Sequence, residues 1–222
     1  MTNSTHTTLL SGGLITPENE LHRISDNLSS RFGGFFAPQT VERYVFESYT
    51  ALSRTAKVKT YLVSMTETFA RDRLIALAQS GGFIEKAVPE VLFVCVHNSG
   101  RSQMAMALLQ HKAGETVHVR SAGSQPGSEI NPAVVRVIEE LGLDLRGFFP
   151  KPLTDDVVRA ADYVITMGCG DACPIYPGKQ YLDWELDDPA NQDVDTVRLI
   201  RDDISERIDG LIATIHQQTS TR

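Results

Sequence analysis

The sequence predicts an α/β fold preceded by an all-helical unit, and three observations carry that expectation. From Val91 onward, short β-branched and apolar runs alternate with amphipathic helical patterns, as in a parallel sheet with helices on both sides. Before Gly82 only helical periodicity is present. Between the two, residues 83–90 shift in composition and end on Pro89-Glu90, which reads as a linker. The expected units are 14–84, a three-helix bundle, and 88–222, the α/β domain.

In the first unit, Thr16-Pro17 is a helix start, with proline at the first helical position. Leu21, Ile24 and Leu28 form its apolar stripe, and Gly33-Gly34 stops it. Pro38 opens a second helix with Val41, Val45, Phe46, Tyr49 and Leu52 on one face. A third runs from about Val58 through Leu62, Met65, Phe69 and Leu74 to Gly81-Gly82. Some 70 residues make a small core on their own. The aromatics Phe35, Phe36, Tyr44, Phe46, Tyr49 and Phe69 are expected to fill it.

In the second unit, strand 91–96 leads into a turn and a helix of Met104, Ala107 and Leu108. Strand 117–122 precedes a Gly/Pro/Ser loop, and Asn131-Pro132 starts a helix that stops at Gly142. Thr154 is the expected cap of a short helix with Asp155 and Asp156 in its first turn. Strand 163–167 runs into a cysteine-bearing loop, and a short segment from Tyr181 to Leu186 reaches Asp187-Asp188-Pro189. A long helix closes the chain, with Val197, Ile200, Ile204, Ile208, Leu211 and Ile215 facing inward. Ligands in such sheets sit beyond the carboxyl ends of the strands. Cys95 and the 168–173 loop both follow such ends and can share one site.

The 222 residues are 41% hydrophobic and 22% charged, so a sizeable core is expected and wholesale disorder is not. A net charge of −7 argues against a nucleic-acid partner. No apolar run approaches a membrane span, and the first dozen residues lack the pattern of a signal peptide and read as a tail. A cytoplasmic location is expected, where the three cysteines, Cys95, Cys169 and Cys173, read as reactive or inert thiols rather than a structural framework.

Residues 91–102, V-L-F-V-C-V-H-N-S-G-R-S, carry the chemistry. An apolar strand ends on Cys95, and the turn Val96, His97, Asn98, Ser99, Gly100 leads to Arg101, Ser102 and a helix. Such a turn presents successive backbone N–H groups, and the helix aims its positive end at the same point. Arg101 adds a planar fork of donors suited to a tetrahedral oxyanion. That field favours thiolate over thiol, so Cys95 is the expected nucleophile and residues 96–102 the expected oxyanion-binding loop. A bare Cys and Arg five residues on would be weak evidence; the strand before, the turn residues and the helix after make the pattern specific. Within it, Asn98 is expected to fix the turn, as a left-handed residue, a hydrogen-bonding one, or both. Ser99 and Ser102 are candidate donors to the thiolate, and Ser102 could equally cap the helix. His97 is given no base role, and Trp184 is expected to pack under the loop around Asp188.

Further motifs follow in order: S-A-G-S-Q-P at 121–126, N-P at 131–132, F-P-K-P-L at 149–153, M-G-C-G-D-A-C-P at 167–174 and W-E-L-D-D-P-A at 184–190. With C-V-H-N-S-G-R-S they resemble the low-molecular-weight protein tyrosine phosphatase family, and within it the arsenate reductases, over about three-fifths of the chain. The resemblance implies a three-layer α/β/α domain on a four-stranded parallel sheet. It implies Cys95 as nucleophile, Arg101 as oxyanion clamp and Asp188 as the proton-transferring residue. The N-terminal helices resemble a module found beside this domain in actinobacterial proteins and regarded as a dimerisation unit. A homodimer, docking of a partner and simple capping all stay open.

Phosphatase and reductase chemistry begin alike, with thiolate attack on phosphorus or arsenic. Reducing As(V) to As(III) then needs two electrons from a thiol pair. By resemblance, Cys169 would attack Cys95 and release arsenite, and Cys173 would attack Cys169, leaving a disulfide for an external reductant. Cys169 and Cys173 could instead be buried spectators. No bound cofactor is expected. A zinc site is not expected either, since no further cysteine and no nearby His-x-x-His pattern accompany the pair. Ala190-Asn191-Gln192 after Asp188-Pro189 offers no aromatic wall for phosphotyrosine, which suits a small inorganic ion. Thioredoxin is the expected reductant. The close spacing of Cys169 and Cys173 also resembles reductases coupled to mycothiol and mycoredoxin, the alternative partners. A phosphatase and a non-catalytic oxyanion or redox sensor are the other readings.

Overall fold

The computed structural model describes residues 16–57, 59–168 and 173–219. The segment read above as a tail, Val58 and Cys169 lie outside them. Three helices come first: α1 (Pro17–Phe32), α2 (Pro38–Ser53) and α3 (Leu62–Ser80). Then follow β1 (Glu90–Cys95), α4 (Arg101–Ala113), β2 (His118–Gly123), α5 (Pro132–Glu139), α6 (Asp155–Ala160), β3 (Tyr163–Met167), β4 (Gln180–Asp183) and α7 (Val194–Thr219).

Local chemistry explains most boundaries. Thr16 caps α1, its hydroxyl accepting the Asn19 N–H at 3.4 Å, and Pro17 fills the position where no N–H is needed. At the end of α3 the Gly81 N–H returns to the Leu77 carbonyl, and Gly82 turns the chain out at φ +71°. Two expectations fail. Helix α3 begins at Leu62, after Tyr61, and not near Val58. Thr154 stands at the N-cap of α6 with extended backbone, but its side chain makes no capping bond and its Oγ1 is buried without a partner. Packing of α6, not its cap, holds that helix.

The sheet order is β2-β1-β3-β4 with every pair parallel. Chain direction across the sheet reverses at β1, so the crevice beyond the carboxyl ends of β1 and β3 is the topological switch point. Cys95 ends β1 there, in register with Gly123 on one side and Met167 on the other. All six β1 residues are buried, as a central parallel strand requires. Alternation splits them: Val91, Phe93 and Cys95 face α4, α5 and α7, while Leu92 and Val94 face α6. The inner stripe of α7, from Val197 to Ile215, is buried throughout as its periodicity predicts. Each such side chain stabilises the fold by about 1.5–3 kcal/mol.

The N-terminal helices pack directly against the sheet domain. Ala76 of α3 joins the layer of Leu92, Val94, Val157 and Val164, so α3 extends the helical cover that short α6 begins. Phe149 sits in an apolar cluster with Leu52, Leu62 and Phe69. A polar seam runs beside it. Arg73 donates to Asp156 at 3.2 Å and to Ser48 at 3.2 Å, with the Tyr44 ring 4.5 Å from its guanidinium carbon. Gln79 and Arg120 both bond the buried Glu90 carboxylate, which His118 meets at 2.7 Å. The aromatic core is narrower than expected: Tyr44 and Phe69 are buried, Phe36, Phe46 and Tyr49 partly so, and Phe35 is 39% exposed. Among the described residues no helix is long and apolar enough to cross a membrane.

Candidate active site

The turn after β1 is held by its own carbonyls. Those of Cys95, Val96 and His97 accept from Ser124, Gln125 and Gly127 at 3.1, 2.8 and 2.8 Å. The Ser99 carbonyl accepts from Asn131 at 2.8 Å, and that of Gly100 from Met104 at 3.0 Å. In a planar trans peptide the C=O and the following N–H point in opposite directions. Carbonyls bonded outward therefore turn the N–H groups that follow them toward the inside of the turn. One is seen directly: the Asn98 N–H lies 3.2 Å from Cys95 Sγ. Gly123 permits this close wrapping, because a Cβ there would stand 2.8 Å from the Val96 carbonyl and 2.9 Å from the Asn98 nitrogen.

Asn98 is both a turn residue and a hub. Its φ is +48°, in the left-handed region that asparagine tolerates. It is fully buried, with Oδ1 accepting the Lys151 N–H at 2.8 Å and the Gln103 amide at 3.1 Å. Its Nδ2 donates to Ser102 Oγ at 2.8 Å. Because the Ser102 oxygen accepts that bond, its own hydrogen is free for Cys95 Sγ, 3.0 Å away. The position that caps α4 is Gly100, so Ser102 serves the sulfur and not the helix end.

Arg101 is 7% exposed and spans the crevice. Its Nη2 donates to Asp188 Oδ2 at 2.7 Å and its Nη1 to the Leu186 carbonyl at 3.3 Å. Asp188 is in turn fixed by the Ala190 N–H at 2.9 Å. The segment carrying it is anchored by Trp184, whose ring packs 5.7 Å from that of Phe93. Cys95, His97, Ser99, Gly100, Arg101, Asn131, Asp188 and Pro189 line a cleft of about 20 Å³, room for about one water molecule. Val96 is half-buried and enters through its carbonyl, and the His97 side chain is exposed at the rim. Gly168, immediately after β3, has φ +73°, and a Cβ there would stand 3.1 Å from Arg101 Nη1. Gly168 thus lies beside the Arg101 guanidinium. Cys173 is partly buried against the Leu92 and Val94 layer.

Two contributors were not singled out from sequence as parts of the site. Asn131, read as a helix start, does cap α5 through the Ala133 N–H at 2.9 Å. It also donates from Nδ2 to the Pro189 carbonyl at 3.0 Å, while its N–H holds Ser99, so one residue ties the turn after β1 to the Asp188 segment. Gln103, fully buried, donates to the Asn98 and Phe149 carbonyls at 3.0 Å each. A polar side chain within an otherwise apolar helical run was the only signal for it.

Comparison with known proteins agrees with this architecture. Residues 90–221 match the low molecular weight phosphotyrosine protein phosphatase family, and residues 21–78 match a protein-tyrosine-phosphatase-like N-terminal domain. A thioredoxin-dependent arsenate reductase structure from Corynebacterium glutamicum is 52% identical, with a TM-score of 0.85 over 91% of this chain and 100% of that one. The glutaredoxin arsenate reductase of Synechocystis is 34% identical over 57% of this chain and 98% of its own length. An arginine phosphatase structure from Geobacillus stearothermophilus is 26% identical, with a TM-score of 0.53 over 60% and 97%. With its whole α/β domain matched, the chain belongs to the low molecular weight phosphotyrosine protein phosphatase family.

Proposed function

We propose that this protein reduces arsenate to arsenite, with thioredoxin as its reductant. The observation that carries the reading is the pairing of Cys95, whose sulfur meets the Asn98 N–H and Ser102 Oγ, with Met167, the β3 residue two positions before Cys169 in the sequence. Full-length similarity to a thioredoxin-dependent arsenate reductase supports the reductase over a phosphatase and thioredoxin over mycothiol. The N-terminal helices, matched within that same span, act here as part of the catalytic body.

In this reading Arg101 and the inward N–H groups bind arsenate, and Cys95 Sγ attacks arsenic. The departing oxygen leaves as water, protonated by Asp188. Cys169 then attacks Cys95 Sγ. The S–S bond forms, the S–As bond breaks, and its electron pair stays on arsenic, which leaves as arsenite. Cys173 attacks Cys169 and frees the Cys95 thiolate. The resulting Cys169–Cys173 disulfide takes two electrons from the thioredoxin dithiol.

Cys173→Ser tests the relay. It should release a single arsenite per enzyme and then stop, while phosphate-ester hydrolysis persists; Cys95→Ser should release none. NADPH consumption is followed with a thioredoxin system and, in parallel, with mycothiol and mycoredoxin. Steady turnover by Cys173→Ser with thioredoxin alone would refute the relay, and activity only with mycothiol would replace the reductant.

A further inference from the structure

We propose that Gln103 and Phe149 are positioning residues that make the N-terminal helices a support of the oxyanion loop. The loop's hub is Asn98, and its outward face is met by one short segment, 149–151. Phe149 supplies a carbonyl and Lys151 an N–H, the first bonded to Gln103 Nε2 at 3.0 Å and the second to Asn98 Oδ1 at 2.8 Å. Gln103 Nε2 also donates to the Asn98 carbonyl and Oδ1, so Asn98 is located relative to 149–151 along two routes. Asn98 in turn donates to Ser102, which reaches Cys95 Sγ.

The segment that provides these partners is fixed from the other side by the N-terminal helices. The Phe149 ring is 7% exposed, and its buried neighbours are Leu52 of α2 and Leu62 and Phe69 of α3. Its Lys151 neighbour lays an ammonium 4.9 Å from the same ring. A chain of contacts thus runs from α2 and α3 through Phe149, Gln103, Asn98 and Ser102 to the sulfur.

Gln103 bears a cost that points the same way. Its Oε1 is buried with no hydrogen-bond partner, a desolvation cost that an apolar residue would avoid. Its Nε2 faces three acceptors, which fixes the amide's orientation. What the side chain supplies is that donor.

The proposal takes Cys95 as the attacking thiol, and its test reads that thiol directly, whether or not arsenate is turned over. Gln103→Met keeps the volume and removes the donor. Phe149→Ala keeps the backbone carbonyl and removes the ring that anchors it. Each is checked for folding by circular dichroism, and iodoacetamide alkylation of Cys95 is followed against pH. Both variants should shift the alkylation profile toward higher pH and raise the arsenate KM by about 3- to 10-fold, the loss expected from one neutral hydrogen bond. Leu62→Ala, distant from the loop and in the same apolar cluster, replaces Phe149→Ala should that variant not fold. Profiles that coincide with wild type overturn the proposal, as does a shift in only the glutamine variant or only the apolar one. Failure of arsenate reduction with shifted profiles would instead count against the proposed function and leave the support intact.

Discussion

Gly100→Ala should disable turnover while leaving the sulfur's surroundings in place. A Cβ on Gly100 would lie 2.6 Å from Pro189 Cγ, whereas carbon atoms at rest are about 3.5–4.0 Å apart. Pro189 offers nothing flexible at its contact point: the atom met belongs to a five-membered ring, and the residue's backbone carbonyl is held by Asn131 at 3.0 Å. The proline must therefore retreat by about 1 Å, and Asp188, its neighbour in the chain, must move with it. Misplacement of a reacting group by about 1 Å can cost on the order of 100-fold in rate. The Asn98 and Ser102 contacts to Cys95 lie on the other side of the loop and should survive. The assay is kcat for arsenate with saturating thioredoxin, beside Cys95 alkylation as the control. Expected are a kcat lowered by about 100-fold, near-normal alkylation, and partial recovery in Gly100→Ala/Pro189→Ala, where the clash is absent. A Gly100→Ala enzyme with wild-type kcat would refute the reasoning, because it would show that the seating of Pro189 does not govern the chemistry.

Two further predictions concern the seam between the helical unit and the sheet. Arg73→Met removes the buried partner of Asp156 and should lower stability in urea unfolding by about 3–5 kcal/mol at neutral pH; an unchanged midpoint would show that Asp156 is solvated in the folded protein. Burial raises the Glu90 carboxyl, but the His118 hydrogen bond and the Arg120 charge outweigh it and hold the group below its ordinary value. Its folded value lies under its unfolded one, so its stabilisation is complete above the unfolded value and is lost as pH falls through the folded value. Glu90→Gln should be destabilised most at neutral pH, with the gap to wild type closing on acidification; a gap independent of pH in thermal melts would contradict this.

What could be read from the sequence depended on whether a residue's partners lie close along the chain. The Cys95 turn was legible because strand, turn and helix are contiguous, and the 91–95 run could only be a buried strand end once alternation with helices was seen. The stripe of α7 repeats for 26 residues, so its buried face was equally plain. Thr154 shows the opposite case. Its local pattern was that of a cap, yet α6 is six residues long and held by packing, and the hydroxyl is left unpaired. The bond from Asn131 to Pro189 and those from Gln103 to Asn98 and Phe149 join residues 58, 5 and 46 positions apart. Only the sheet's topology brings the longer pairs together. Phe35 was expected in a core that the helical unit does not complete alone, since α3 turns part of its surface to the sheet.

The ion pair between Arg101 and Asp188 has a consequence for selectivity. One arm of the guanidinium fork already holds a carboxylate and the other a backbone carbonyl, beside the cleft that Cys95 lines. For the oxyanion binding proposed above, entry is then an exchange, with one negative group displacing another. A visitor profits only by the margin through which it outbids the resident, so weakly accepting anions such as chloride gain little, and solutes rich in oxygens are let in.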